Sequence, residues 1–228
     1  MMKTSESKPM KIMVSTEIGT VSGLFLKPGK PKALMALAHG AGAGMTHLFM
    51  EQLASALADE GIATLRFQFP YMEAGKKRPD SPKVAHQTIL AAMEKARKLE
   101  PELPLLLAGK SFGGRMSSQL AAQNDLDAVA GLVFYGFPLH APGKNNTDRA
   151  AHLADVSIPM LFLQGTRDTL ALPDLIQSVC EPLPLATLQF FEGADHSFKT
   201  LKRSGISHEE VIRKLAEKTK KWTDMIVN

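Results

Sequence analysis

The sequence predicts an α/β protein with a mostly parallel, doubly wound sheet of about seven to eight strands and helices on both faces. From residue 33 onward, short apolar runs alternate with longer segments of helical periodicity. The short runs are continuously apolar, which is typical of strands buried on both faces of a parallel sheet. Such sheets bind ligands at the carboxyl ends of their strands, so we expect the functional residues there.

Each element follows from its pattern and its end signals. Residues 1–9 are expected to form a flexible tail, and residues 10–228 a single domain. Two apolar stretches around a turn at 18–20 predict an opening hairpin. Strands are predicted at residues 12–14, 21–26, 33–38, 62–67, 105–108, 129–135, 160–164 and 185–191. Helices are predicted at residues 49–60, 84–99, 112–123, 173–180 and 208–225.

The composition excludes several classes of protein. The 228 residues are 44% hydrophobic and 22% charged, which is ordinary for a soluble domain. No stretch approaches the roughly 20 apolar residues of a membrane span, and the start has no apolar secretory segment. The single cysteine, Cys180, excludes an internal disulfide and C-x-x-C sites, so a cytoplasmic location is expected. The net charge is +4, but the sequence has no nucleic-acid recognition motif, so neither nucleic acid nor membrane is an expected partner. The oligomeric state stays open.

Residues 108–114 form the most informative motif. They read Ala-Gly-Lys-Ser-Phe-Gly-Gly, between an apolar run and a helix-like stretch. A G-x-S-x-G pentapeptide in this context is typical of the nucleophile elbow of α/β hydrolases. Glycines at 109 and 113 allow the helix to pass close to the strand, and Ser111 is the predicted nucleophile.

A serine nucleophile needs a base and a group that orients the base, in the chain order Ser, acid, His. Asp168 follows the predicted strand 160–164 and is the expected acid, although an aspartate there also suits a plain turn. Asp148 and Asp155 are weaker candidates. His196 follows the last predicted strand and is the expected base.

The predicted oxyanion hole combines two loops. The amide of Phe112 follows the nucleophile, and a second donor is expected from Ala41 or Gly42, in the small-residue loop after strand 33–38. Neither G-x-G-x-x-G nor a P-loop is present, so we expect no nucleotide site. Lys110 sits at the end of a strand that should be buried. It either extends to water or a carboxylate, or attracts an anionic substrate.

Several motifs together resemble a family. Residues 39–47, 66–71, 78–82, 109–115, 135–144 and 164–168 look like successive signatures of the α/β-hydrolase superfamily, in its testis-expressed protein 30 and KANSL3-like hydrolase branch, which is close to the dienelactone-hydrolase-like group. The resemblance extends from about residue 12 to the C-terminus. It implies a Ser111, Asp168 and His196 triad with Phe112 and Ala41 or Gly42 as oxyanion donors. Because the chain has 228 residues, we expect no large lid domain.

The resemblance does not imply a substrate. True dienelactone hydrolases use a cysteine nucleophile, whereas this chain has Ser111. Within the signature segments we expect His39, Tyr71, Lys110 and His140 to bind substrate, and the loops 70–82 and 137–155 to shape specificity.

These observations predict a serine hydrolase that cleaves an ester or thioester of a small acyl substrate through an acyl-enzyme. No metal or other cofactor is expected, and the expected partner is a small molecule. The alternative is an interaction module that keeps the fold without turnover. A peptidase is disfavoured because 228 residues leave no room for a propeller or a large lid.

Overall fold

The computed structural model describes residues 6–126 and 128–227. The strands are β1 (Lys8–Ser15), β2 (Gly19–Leu26), β3 (Ala33–Ala38), β4 (Ile62–Phe67), β5 (Leu105–Lys110), β6 (Val129–Tyr135), β7 (Met160–Gly165) and β8 (Ala186–Phe191). The α-helices are α1 (Leu48–Asp59), α2 (Pro70–Glu73), α3 (Pro82–Leu99), α4 (Phe112–Gln123), α5 (Pro173–Cys180) and α6 (His208–Ile226). Two short 3-10 helices span Asp148–Asp155 and Lys202–Ser204.

The eight strands form one sheet in the order β1-β2-β4-β3-β5-β6-β7-β8. The β1–β2 hairpin is antiparallel and β2 pairs antiparallel with β4, whereas all pairs from β4 to β8 are parallel. The carboxyl ends of β3, β5, β7 and β8 therefore lie along one edge. The mostly parallel sheet predicted from sequence is confirmed.

Helices cover both faces of the sheet. The α1 and α6 helices pack on one face, against alternate residues such as Leu106 of β5 and Val133 of β6. The α3, α4 and α5 helices pack on the other face, where the intervening Leu107 and Phe134 point. Strands β3 to β7 are buried almost throughout, which explains why their sequences are mainly apolar.

The structure refines the predicted boundaries. Strand β1 begins at Lys8, within the predicted tail, because Lys8 and Pro9 pair with Phe25 and Leu24; residues 1–5 lie outside the described residues. The α3 helix starts two residues early because Pro82 fits its first turn. Strand β5 extends to Lys110 because Lys110 pairs with Tyr135.

The short helices at 70–73 and 148–155 lie in segments that the sequence predicts as loops, and the one at 202–204 lies where no element is predicted. One- and two-turn helices have too few residues for a periodic apolar pattern, so their sequences resemble loops. The connection 136–159, on the site side of the sheet, holds one of these short helices and no inserted lid domain. None of the helices in the described ranges combines the length and apolar character that crossing a bilayer requires.

Candidate active site

Ser111 lies in a strained turn between β5 and α4. Its φ of 49° and ψ of −109° lie in a backbone region that residues other than glycine rarely adopt. Glycines make the turn possible. A Cβ on Gly109 would lie 2.2 Å from the Gly114 nitrogen, and a Cβ on Gly113 would lie 2.6 Å from Ala38 Cβ. The G-x-S-x-G pattern thus matches a place where strand and helix backbones nearly touch.

A hydrogen-bonded chain joins the three predicted catalytic residues. His196 Nε2 lies 2.9 Å from Ser111 Oγ, and His196 Nδ1 lies 2.6 Å from Asp168 Oδ2. With Nδ1 donating to the carboxylate, Nε2 is the unprotonated nitrogen and can accept the serine proton. Asp168 is fully buried and His196 is half-buried. The structure therefore brings together the predicted nucleophile, base and acid from the ends of three strands.

Further donors hold the Asp168 carboxylate in place. Gln164 Nε2 donates to Oδ2 at 2.6 Å and the Leu170 amide donates to Oδ1 at 2.8 Å. Gln164 Oε1 in turn accepts from the Phe137 amide at 2.9 Å. Gln164 was not among the predicted site residues. Its signal was a polar residue in the otherwise apolar β7, where a buried amide needs partners.

The His196 loop is fixed by its own backbone and by a buried ring. Asp195 Oδ1 accepts from the amides of Ser197 and Lys199 at 2.8 and 3.0 Å. Phe198, with a positive φ of 59°, packs its ring 5.7 Å from that of Phe191. These contacts hold the His196 ring over the sheet edge.

The surroundings favour the neutral form of His196. Burial lowers its pKa and nearby Lys110 lowers it further, whereas the hydrogen bond to Asp168 and the charges of Asp168 and Asp195 raise it. The net result is a pKa below the ordinary histidine value. The imidazole is therefore available as a base at neutral pH.

The loop after β3 approaches the nucleophile closely. A Cβ on Gly40 would lie 3.7 Å from Ser111 Cβ. A turn at 40–43 is closed by the Ala43 amide and the Gly40 carbonyl at 3.4 Å, with Gly42 at a φ of 74°. The Phe112 amide is the first of α4, so no preceding carbonyl of the helix can accept a hydrogen bond from it. Ala41 therefore lines the same cavity as Ser111, and Phe112 follows Ser111 directly; the assignment of Ala41 or Gly42 with Phe112 as oxyanion donors stays a prediction.

His39 and Tyr71 lie beneath this loop and outside the cavity that borders Ser111. His39 is fully buried, with Nδ1 2.8 Å from the Gly40 carbonyl and Nε2 accepting from the Phe69 amide at 3.1 Å. Burial lowers the pKa of His39 to about 4. The Tyr71 hydroxyl contacts the Gly40 carbonyl at 3.5 Å. Both side chains contact the loop backbone, which suits positioning better than the predicted substrate contact.

Of the other two predicted substrate-binding residues, Lys110 lines the cavity and His140 does not. His140 is buried outside the cavity, with Nδ1 3.0 Å from the Ala141 carbonyl. Lys110 lines the cavity, but its Nζ is buried and has no hydrogen-bond partner among the described residues. The lysine thus extends neither to water nor to a carboxylate. Burial lowers its pKa to about 8.

A cavity of about 370 Å³ opens beside Ser111 and His196. The start of α1 gives it an apolar wall of Leu48, Phe49 and Met50. The loop after β3 and the His196 loop form the other sides. The cavity is large enough for a small acyl group. Among the described residues, no group of three or more histidine, cysteine, aspartate or glutamate side chains is arranged to hold a metal ion.

Comparison with known proteins agrees with this fold. An α/β serine hydrolase without a lid from Xanthomonas campestris is 22% identical, with a TM-score of 0.74 and 95% of each chain covered. A dienelactone hydrolase from Anabaena variabilis is 18% identical, with a TM-score of 0.78 over 99% of this chain and 100% of that one. Est1E from Butyrivibrio proteoclasticus is 16% identical, with a TM-score of 0.72 over 95% and 99%. The model of the alpha/beta hydrolase domain family matches residues 31–224, so the chain belongs to the α/β-hydrolase family.

Proposed function

We propose that this protein is a serine hydrolase that cleaves a carboxylic ester or thioester of a small acyl group. The observation that carries the proposal is the continuous hydrogen-bonded chain from Ser111 through His196 to Asp168. The family match and structural neighbours that include esterases support the same reaction class.

Acylation begins when Ser111 Oγ attacks the substrate carbonyl carbon and its proton passes to His196 Nε2. The carbonyl oxygen becomes an oxyanion, and the amides of Phe112 and of Ala41 or Gly42 stabilise it. Asp168 stabilises the imidazolium that forms. The imidazolium then donates the same proton to the leaving alcohol or thiol as the bond to the carbonyl carbon breaks, which leaves an acyl-serine.

Deacylation repeats the steps with water. His196, again neutral, takes a proton from a water molecule while the water oxygen attacks the acyl carbon. The second tetrahedral intermediate uses the same oxyanion donors. Return of the proton to Ser111 Oγ breaks the ester bond and releases the carboxylic acid. The whole cycle uses side chains and backbone amides of this chain.

We further propose that the chain belongs to the testis-expressed protein 30 and KANSL3-like branch, whose signature motifs its sequence resembles. The cytoplasm is the proposed compartment. The composition supports this, because the chain has one cysteine and Cys180 is buried and unpaired.

Hydrolysis of 4-nitrophenyl butyrate and of butyryl thiocholine tests the proposal. The wild type should hydrolyse at least one of them, and Ser111→Ala should lose activity by about a thousandfold or more. Asp168→Asn keeps the shape of the side chain but removes the charge that orients His196, so a loss of similar order is expected. Equal rates in wild type and Ser111→Ala would exclude the proposed mechanism.

A further inference from the structure

Basic side chains line the cavity beside Ser111. Besides His196, the wall contains Lys110, Lys199, His47 and His208. Among the described residues that line it, none is an aspartate or a glutamate. Glu209, the neighbour of His208, lines a separate depression. The wall therefore carries positive charge without an acidic counterpart.

Lys110 supplies the deepest of these charges. Its Nζ is buried, has no hydrogen-bond partner, and lies 5.8 Å from the centre of the Phe198 ring. The two carboxylates in electrostatic range are engaged elsewhere: Asp168 holds His196 and Gln164, and Asp195 Oδ1 accepts two backbone amides. Neither forms an ion pair with Lys110 in the described chain. The charges of Asp168 and Asp195 offset that of Lys110 only from a distance, so a charge without a direct partner still acts on the adjacent cavity, where the local dielectric is low.

The rim offers groups that can touch a ligand. Lys199 is exposed and forms no ion pair among the described residues. His208 uses Nδ1 near the Phe198 carbonyl at 3.2 Å, and His47 uses Nδ1 to accept the Phe49 amide at 3.2 Å. In both rings Nε2 is left for a ligand.

The same cavity also has an apolar wall, formed by Leu48, Phe49 and Met50 at the start of α1. This wall suits a short hydrocarbon spacer. The loop after β3 borders the same cavity, so a substrate whose carbonyl is bound at Ser111 has room there for its acyl chain.

We propose that the enzyme selects acyl groups that carry a carboxylate, held toward Lys199 and His208 by a short apolar spacer and attracted by the buried charge of Lys110. This inference rests on the proposed function, since it assumes that acyl groups bind beside Ser111. It goes further by naming the chemical class of the substrate.

Two matched esters test the selection. Mono-4-nitrophenyl glutarate and 4-nitrophenyl pentanoate have the same chain length and leaving group, and differ by a carboxylate in place of a methyl group. The wild type should show a higher kcat/KM for the glutarate ester, and added salt should reduce this preference. A preference for the pentanoate ester, or equal values for both, would overturn the inference.

Variants locate the source of the preference. Lys199→Met should lower the glutarate-to-pentanoate ratio about threefold, as expected for an exposed charge, and Lys110→Met should lower it more. Lys218→Met is the matched control because Lys218 is exposed on α6 and lies outside the cavity; its ratio should equal that of the wild type. Ratios that are equal in all four proteins would place the selectivity elsewhere and refute the assignment.

Binding to Ser111→Ala separates this inference from the proposed function. The 4-nitroanilides of glutarate and pentanoate replace the esters, and calorimetry measures their binding without turnover. Tighter binding of the glutarate anilide supports the anionic site even if the wild type hydrolyses neither ester. Equal binding rejects the site even if hydrolysis is observed.

Discussion

Among single residues, Lys110 carries the clearest stability cost. Burial without a partner lowers its pKa to about 8, so a positive charge is held there at neutral pH at a cost. Lys110→Met should stabilise the fold by about 1–3 kcal/mol at pH 7 in chemical denaturation. The gain should shrink between pH 8 and pH 10.5, because the unfolded wild-type chain then binds more protons than the folded one. A destabilised Lys110→Met protein would show that the fold requires the ammonium.

The same substitution should change the pH dependence of catalysis. The Lys110 charge lowers the pKa of His196, so its removal should raise that pKa. For the neutral ester 4-nitrophenyl butyrate, the acidic limb of the kcat/KM profile should therefore move to higher pH in Lys110→Met. Lys218→Met, which alters a distant exposed charge, should leave the limb in place. An unmoved limb in Lys110→Met would mean that the two groups are not coupled.

His39 makes the oxyanion loop sensitive to acid. Its neutral ring donates from Nδ1 to Gly40 and accepts at Nε2 from Phe69, so a second proton would break the Phe69 contact. The folded-state pKa of about 4 lies below the ordinary value, so stability falls as pH drops from 6.5 towards 4. From pH 7 to pH 5 this residue should account for a loss of about 2 kcal/mol. Denaturation of His39→Gln at both pH values should show a correspondingly smaller loss; an identical loss would exclude His39 as the sensor.

Among the elements, β5 and α4 pack so closely that their contact leaves no room for a side chain at Gly109. Gly109→Ala would place a Cβ against the backbone of Gly113 and Gly114, so we expect a destabilisation of more than about 3 kcal/mol or no folded protein. Gly29→Ala is the matched control, since its Cβ would meet no atom within 4 Å and its φ is not positive. Thermal melts of both variants test this. Similar melting temperatures would mean that the elbow can relax.

The elements also show where sequence patterns are sufficient. Mainly apolar runs predict β3 to β7 because those strands are buried on both faces. The glycines around Ser111 predict the elbow because only glycine fits there. The role of Gln164 could not be predicted in this way, because it depends on Phe137 and Asp168 lying close together in the folded chain. His39 and Tyr71 were expected at the substrate for a similar reason: the motif shows that they are near the loop, but not on which side of it they lie.

At the scale of the whole molecule, the open cavity limits the acyl group. The described chain has no lid domain over the site, and the cavity measures about 370 Å³. We expect kcat/KM for neutral 4-nitrophenyl esters to be highest for chains of up to roughly eight carbons and to fall for longer ones. Rates should rise smoothly as a long-chain ester passes its solubility limit. A sharp rise there, or a maximum at palmitate, would indicate a lipid-binding surface instead.

The central claim is that Ser111 is a nucleophile activated by His196 and Asp168. The most direct measurement is intact mass after treatment with a fluorophosphonate, applied to wild type and Ser111→Ala. One covalent adduct on the wild type and none on the variant is the predicted result. A folded wild-type protein that stays unlabelled, or equal labelling of both proteins, would contradict the claim and favour a non-catalytic interaction module.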